Sequence, residues 1–190
     1  MPSILYLHGF LSSPASTKAK VTQQWLQEHL PRWKYHCPQL SSYPHLARQE
    51  LIEIYQSLDE VPFVIGSSLG GFWAAWCVEQ FGGKAALINP AVAPHTRFQH
   101  FVGQPLQSYY SEDIYTLGLQ DLEVLEACDM EVRTPGAYFV MLQSGDETLD
   151  YRMALARYTD AKILLEKGGS HSFDGYEDHL ESILRFFTSY

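Results

Sequence analysis

The sequence predicts an α/β fold in which helices cover both faces of a mostly parallel sheet of about six strands. Two observations lead there. Short runs of apolar, β-branched or aromatic residues recur along the chain, and the stretches between them carry apolar residues at helical spacing. The 190 residues, 46% of them hydrophobic, also fit one domain with one sizeable core, with too little chain for two domains and a linker.

Strands are read at Ile4–Leu7, Trp33–Cys37, Phe63–Ile65, Ala85–Ile88, Tyr138–Leu142 and Lys162–Leu165. Between the first two, Val21, Trp25, Leu26 and Leu30 share one helical face that Pro31 ends. Leu51, Ile54, Tyr55 and Leu58 repeat the pattern before the third strand. Leu69, Phe72, Trp73, Trp76 and Phe81 follow it and stop at Gly82-Gly83, and Leu180, Ile183, Leu184 and Phe187 mark a last helix. These rings are read as core. Residues 91–133 break the alternation, because they are too long for a simple connection and carry Phe98, Phe101, Tyr109, Tyr110 and Tyr115. A long insertion in a compact domain is usually a lid or binding segment, which makes Phe98, Phe101, Tyr109 and Tyr110 candidate substrate contacts. The alternative is that these aromatics fill core.

Charge and composition remove several function classes. With 13 basic and 22 acidic residues the formal net charge is −9, and no Lys/Arg run occurs, so neither nucleic acid nor an anionic membrane surface is an expected partner. The run Ile4–Leu7 lacks the basic leader and the length of a secretory signal, and no stretch approaches a membrane span. Cys37, Cys77 and Cys128 are widely spaced and odd in number, which suggests reduced thiols in the cytoplasm, with Cys77 in a helix core. No H-E-x-x-H and no tight cluster of His with acidic residues is present, so no metal is expected.

The chemistry concentrates at strand ends. The third strand runs into Gly66-Ser67-Ser68-Leu69-Gly70-Gly71 and then into a helix, the strand-turn-helix setting of a nucleophile elbow. Glycines two residues before and after Ser68 keep neighbouring chain clear of a strained turn, and the spacing centres on Ser68 rather than Ser67. The competing reading is a glycine-rich turn with Ser68 as a helix N-cap. The first strand ends in His8-Gly9-Phe10-Leu11, a loop that in folds with such an elbow supplies half of the oxyanion hole. The donors are then the N–H groups of Phe10 and Leu69. His8 competes for the role of base, but its place in this loop favours a structural hydrogen bond.

The base is expected after the last strand, where Gly168-Gly169-Ser170-His171-Ser172-Phe173 precedes the final helix and makes His171 the best placed of eight histidines. His179 is read as a surface residue of the helix pattern. The acid is expected after the fifth strand, where Gln143-Ser144-Gly145-Asp146-Glu147-Thr148-Leu149-Asp150 offers three carboxylates. Asp146 directly follows the strand-ending glycine. Asp150 stands where a helix N-cap is wanted, and Glu147 and Asp113 are further alternatives.

Together, Leu5-Tyr6-Leu7-His8-Gly9-Phe10, the Gly66–Gly71 turn, Asn89-Pro90-Ala91, Gly145-Asp146-Glu147-Thr148-Leu149-Asp150-Tyr151 and Gly168-Gly169-Ser170-His171 resemble the YqiA-like small esterases of the α/β-hydrolase superfamily. These segments span almost the whole chain. The resemblance implies a hydrolase core without the superfamily's first two strands, beginning at the oxyanion-loop strand. The loss thins one sheet edge, through which a homodimer is conceivable. The expectation is a serine esterase with triad Ser68, Asp146 and His171, acting on small uncharged acyl esters or thioesters of short to medium chain without metal or organic cofactor. Two other readings stay open: a hydrolase-fold protein that binds without turnover, and an acyltransferase that uses the same serine.

Overall fold

The computed structural model describes residues 1–189. Six parallel strands form its sheet: β1 (Ser3–Leu7), β2 (Lys34–His36), β3 (Phe63–Ser67), β4 (Ala85–Ile88), β7 (Tyr138–Gln143) and β8 (Lys162–Glu166). Their order is β2-β1-β3-β4-β7-β8. The chain leaves β1 for β2 on one side, crosses to β3 on the other, and then continues outward. That reversal opens a crevice at the carboxyl ends of β1 and β3, where ligands of open α/β sheets bind. Leu7 pairs with Gly66 and Ser67 with Ile88, so the segments His8–Leu11, Ser68–Leu69 and Asn89–Ala91 leave the sheet side by side.

Period two along the strands divides the interior into two layers. Leu5, Leu7, Val64, Leu87, Val140 and Leu142 face α2 (Pro44–Ser57) and α3 (Leu69–Phe81). Ile4, Tyr6, Ile65, Ile88, Phe139 and Met141 face α1 (Thr17–His29) and α7 (Leu180–Thr188). With apolar residues on both faces, β1, β4 and β7 are buried along their whole length. Helix α3 is buried over most of its surface, with Phe72, Trp73, Trp76 and Cys77 all in the first layer.

Residues 91–133 contain structure the sequence pattern did not resolve. α4 (Pro94–Phe98) leads through a 3₁₀ turn into an antiparallel pair, β5 (Pro105–Gln107) and β6 (Ile114–Thr116), followed by α5 (Leu119–Ala127). The two ends of the segment behave differently. Leu117, Leu122 and Leu125 are buried in the first layer with Phe98, whereas Tyr109 and Tyr110 at the hairpin tip are 77% and 48% exposed. The tip is fastened where the Tyr109 N–H donates to the Leu11 carbonyl, 2.9 Å away. α6 (Tyr151–Arg157) starts at Asp150, whose side chain accepts the Arg152 N–H. His179, expected at the surface, is half-buried, edge-on to Phe173 and 3.1 Å from Glu166, because it ends a 3₁₀ turn (Tyr176–His179) that packs against α1 before α7 begins.

The tightest packing lies where α3 leaves β3. A Cβ on Gly70 would overlap the backbone carbonyls of His8 and of Leu7, the last residue of β1. Gly136 faces open space. Gly70→Ala is therefore expected to lower the urea unfolding free energy by at least about 2 kcal/mol, and Gly136→Ala by less than about 0.5 kcal/mol; equal midpoints for the two variants would contradict this account of the turn.

Candidate active site

Ser68 stands between β3 and α3 with φ 57° and ψ −121°, a conformation that costs a non-glycine residue about 1–3 kcal/mol. Its backbone is held from several sides: its N–H donates to the Ile88 carbonyl, and its carbonyl accepts from Gly71 and Ala91. The turn brings Gly70 against Gly66, its backbone occupying the space a Cβ on Gly66 would need, while Gly70 itself lies against the Leu7 and His8 carbonyls. The hydroxyl is thereby aimed away from the sheet. Its Oγ lies 3.0 Å from His171 Nε2, and His171 Nδ1 lies 2.8 Å from Asp146 Oδ2. The tautomer that satisfies both contacts carries its proton on Nδ1, donates to Asp146 and accepts from Ser68.

Asp146 is the carboxylate that reaches the imidazole, and its side chain is only 1% exposed. Burial pushes its pKa up. Hydrogen bonds from His171 and from the Leu149 and Thr148 N–H groups outweigh that and hold it below the usual carboxylate range. Glu147 takes a different place: its Oε2 accepts the backbone N–H of His171 at 2.9 Å. Asp150 is engaged with Arg152 at the start of α6, and Asp113 with Ser111 in the hairpin. Of the four carboxylates weighed from sequence, the structure brings only Asp146 to the ring.

Gly9 packs against the elbow, its ideal Cβ position 3.9 Å from Ser68 Oγ. The N–H groups of Phe10 and Leu69, the expected oxyanion donors, begin at this meeting of loop and helix and donate to no other protein group among the described residues. His8 is fixed as a structural residue: its Nδ1 donates to the Gly9 carbonyl and its Nε2 accepts the Leu40 N–H. Burial lowers its pKa, which keeps the ring neutral and the arrangement intact.

Two residues given no role from sequence assemble the His171 loop. The Asn89 amide donates to the carbonyls of Ser170 and His171 and accepts the Gln143 N–H, and the Gln143 side chain accepts the N–H groups of Ser170 and Asp174. Each stands at the carboxyl end of a buried strand. A polar residue closing an otherwise apolar run was the available signal.

Above Ser68 and His171 opens a cavity of about 620 Å³. Phe10, Phe98, Phe101, Tyr109 and Tyr110 line one part of it, with the Phe10 and Phe98 rings 4.7 Å apart and Phe101 edge-on to Phe98. Lys18, Ser172, Phe173, Tyr176 and Glu177 line another. A second cavity, of about 560 Å³, lies beside β2 and α2 and includes none of these groups. Among the described residues no cluster of three His, Cys, Asp or Glu side chains is placed to hold a metal ion. Nor is any helix long and apolar enough to cross a membrane.

A family model described as uncharacterised protein family (UPF0227) matches residues 3–188. The chain belongs to this family. A UPF0227 protein from Serratia proteamaculans is 27% identical over 194 aligned positions, covering 97% of this chain and 98% of its own. Among solved structures, α/β-hydrolase domain-containing protein 10 from mouse is similar with a TM-score of 0.72 and 18% identity, over 97% of this chain and 87% of the other. A monoacylglycerol lipase from Paleococcus ferrophilus is similar at TM-score 0.69 and 15% identity, over 98% and 94%. At such identities the likeness establishes the α/β-hydrolase fold for this UPF0227 chain.

Asn89→Asp keeps the side-chain shape and tolerates the φ of 40°, yet replaces the amide donor with a carboxylate facing two carbonyls. It is expected to cost about 2–3 kcal/mol in urea unfolding, and unchanged stability would show that the loop does not depend on this amide.

Proposed function

We propose that the chain is a serine esterase in which Ser68 is the nucleophile, His171 the general base and Asp146 the carboxylate that orients it. The observation that carries this reading is the unbroken relay from Ser68 Oγ through His171 to a buried Asp146, at 3.0 and 2.8 Å. As Ser68 attacks an ester carbonyl its proton passes to His171 Nε2, and the Phe10 and Leu69 N–H groups receive the developing oxyanion. The imidazolium then protonates the departing alcohol. An acyl group is left on Ser68, and water activated by His171 releases the acid. The cycle needs no metal or organic cofactor. It takes residues 1–190 as one catalytic domain and residues 91–133 as its lid-like insertion, and the three free cysteines fit a reducing cytoplasmic setting.

Substrates are proposed to be small uncharged acyl groups of short to medium length, lodged against Phe10, Phe98 and Phe101. The hairpin bearing Tyr109 and Tyr110 forms the outer wall, with its backbone tied to Leu11 beside the oxyanion loop. Hydrolase activity also fits the monoacylglycerol lipase among the fold's neighbours.

Ser68→Ala and His171→Ala are expected to lower kcat for p-nitrophenyl butyrate by on the order of 10⁴-fold while remaining folded. A fluorophosphonate probe is expected to label wild type and not Ser68→Ala; an unlabelled wild type that binds esters without turning them over would favour the binding-protein reading. Asp146→Asn is expected to cripple turnover, and Asp150→Asn to act mainly on the start of α6, as seen by melting temperature beside kcat. In a p-nitrophenyl ester series kcat/KM is expected to rise from acetyl to butyryl or hexanoyl by up to about fourfold per methylene, and to flatten in Phe98→Ala and Phe101→Ala. A profile that stays flat in wild type would remove the apolar acyl site.

A further inference from the structure

Among the described residues Lys18 is a cation with no counter-charge within 4.0 Å. It stands in the first turn of α1, a helix end that disfavours positive charge and that has no acidic residue in this turn. The side chain is half-buried and lines the cavity above Ser68. Its ammonium donates to the Ser172 carbonyl at 2.7 Å, which uses one of three donor positions. Among the described residues no carboxylate comes within 4.0 Å of it, and the one acid on this part of the cavity wall, Glu177, is solvent-exposed. Desolvation pulls the Lys18 pKa down, as it does for an ammonium withdrawn from water without a partner. Burying a charge is unfavourable unless something pairs with it, and here the unfilled side of the ammonium is a cavity.

The position relative to the base says which half of a substrate would meet it. Ser172 directly follows His171, so its carbonyl holds Lys18 one residue along the chain from the group that, in the esterase reading, protonates the leaving group. The two layers of the core separate the walls further. Phe98 and the ring that packs on it, Phe10, belong to the layer of α2 and α3, whereas Phe173 and Tyr176, on the Lys18 wall, belong to the layer of α1 and α7. Arg97, the other cation on the cavity wall, lies in α4 on the aromatic side, exposed and donating to the Thr148 carbonyl.

We propose that Lys18 is a specificity-determining residue that receives an anionic oxyacid group, carboxylate or phosphate, carried by the alcohol half of the ester. This rests on the esterase reading and deepens it: the acyl half is apolar and uncharged, and the leaving half is anionic. Ser68 Oγ bonds to the acyl carbon, the bond from that carbon to the alcohol oxygen breaks, and the oxygen leaves with the His171 proton while its anionic group stays paired with Lys18.

The test compares butyrate esters that share the acyl group and the phenyl ring: 4-carboxyphenyl butyrate, its near-isosteric amide 4-carbamoylphenyl butyrate, and 4-phosphonooxyphenyl butyrate. In wild type kcat/KM for at least one anionic ester is expected to exceed that for the amide, mainly through KM. Lys18→Gln, which can still donate to Ser172, is expected to reduce that anion-to-amide ratio by roughly tenfold, and Lys18→Arg to retain it. An equal ratio in wild type and Lys18→Gln overturns the proposal, even if both rates fall together. NMR titration with the corresponding alcohols decides the matter without turnover. Tighter binding of 4-hydroxybenzoate or 4-hydroxyphenyl phosphate than of 4-hydroxybenzamide, lost in Lys18→Gln, supports the anion site, and equal binding of all three overturns it. If no ester is hydrolysed and Ser68 does not label, the esterase reading falls, while this titration still decides the role of Lys18.

Discussion

The close approach of α3 to the ends of β1 and β3 is the constraint on which the remaining architecture depends. Ser68 can occupy its left-handed conformation only while the backbones at Gly66 and Gly70 touch and Gly70 lies against the Leu7 and His8 carbonyls. The strain of one residue, about 1–3 kcal/mol, is small beside what anchors the helix. Phe72, Trp73 and Trp76 are each nearly buried. An aromatic ring of this size removes roughly 150–250 Å² from water, worth about 4–6 kcal/mol at 25 cal/mol per Å². One ring is enough to offset the turn, so the strained serine is a by-product of the apolar packing of α3.

A second constraint sets the other partner of the relay. His171 lies in a loop with left-handed glycines at 168 and 169, which has no helix or strand of its own to fix it. Position comes from polar groups at the ends of two neighbouring strands, Asn89 after β4 and Gln143 at the end of β7. They tie the backbone of Ser170, His171 and Asp174, and Glu147 takes the remaining His171 N–H. The division of labour between adjacent carboxylates follows: Asp146 is buried against the ring, while its exposed neighbour holds the main chain. Hydrogen bonds of this kind are individually modest, yet a half-satisfied set in a buried place costs more than none. This explains why so many polar side chains converge on one short loop.

β1, β3, β4 and β7 were legible because a strand buried on both faces reads as a continuous apolar run, the edge strands β2 and β8 from the aromatic and branched residues Trp33, Tyr35 and Ile163 to Leu165, and the helices between them because one face repeats at helical spacing. The elbow could be placed from glycine spacing, and His171 from its loop and chain order. The preference for Asp146 over Asp150 followed from the capping position that Asp150 does occupy. The β5–β6 pair escaped notice since each strand is three residues long, one begins with proline, and neither carries a repeat. Leu122 and Leu125 were not separated from the hairpin either, because Asp121, Glu123 and Glu126 interleave with them along α5, whose buried stripe is narrow. Asn89 was noticed as part of a motif but its bonds span more than 50 residues of sequence, and the Lys18 contact spans 154. Local pattern carries no information on contacts at such separations.

The sheet itself accounts for a site with two unlike walls. Period-two alternation sends neighbouring strand residues into opposite layers, so each layer extends to the carboxyl edge as a separate surface. Ser68 leaves β3 at the seam between them, with the layer of α2 and α3 contributing the aromatic wall and the layer of α1 and α7 the wall that bears Lys18. A substrate with a reactive bond at the seam must present one half to each surface. The insertion after β4 elaborates only the aromatic side, through Phe98, Phe101 and the hairpin, while the other wall is built from the first turn of α1 and the residues before α7. On the proposed reading the two halves of a substrate meet segments far apart in the chain, so each wall can be altered without touching the contacts between Ser68, His171 and Asp146.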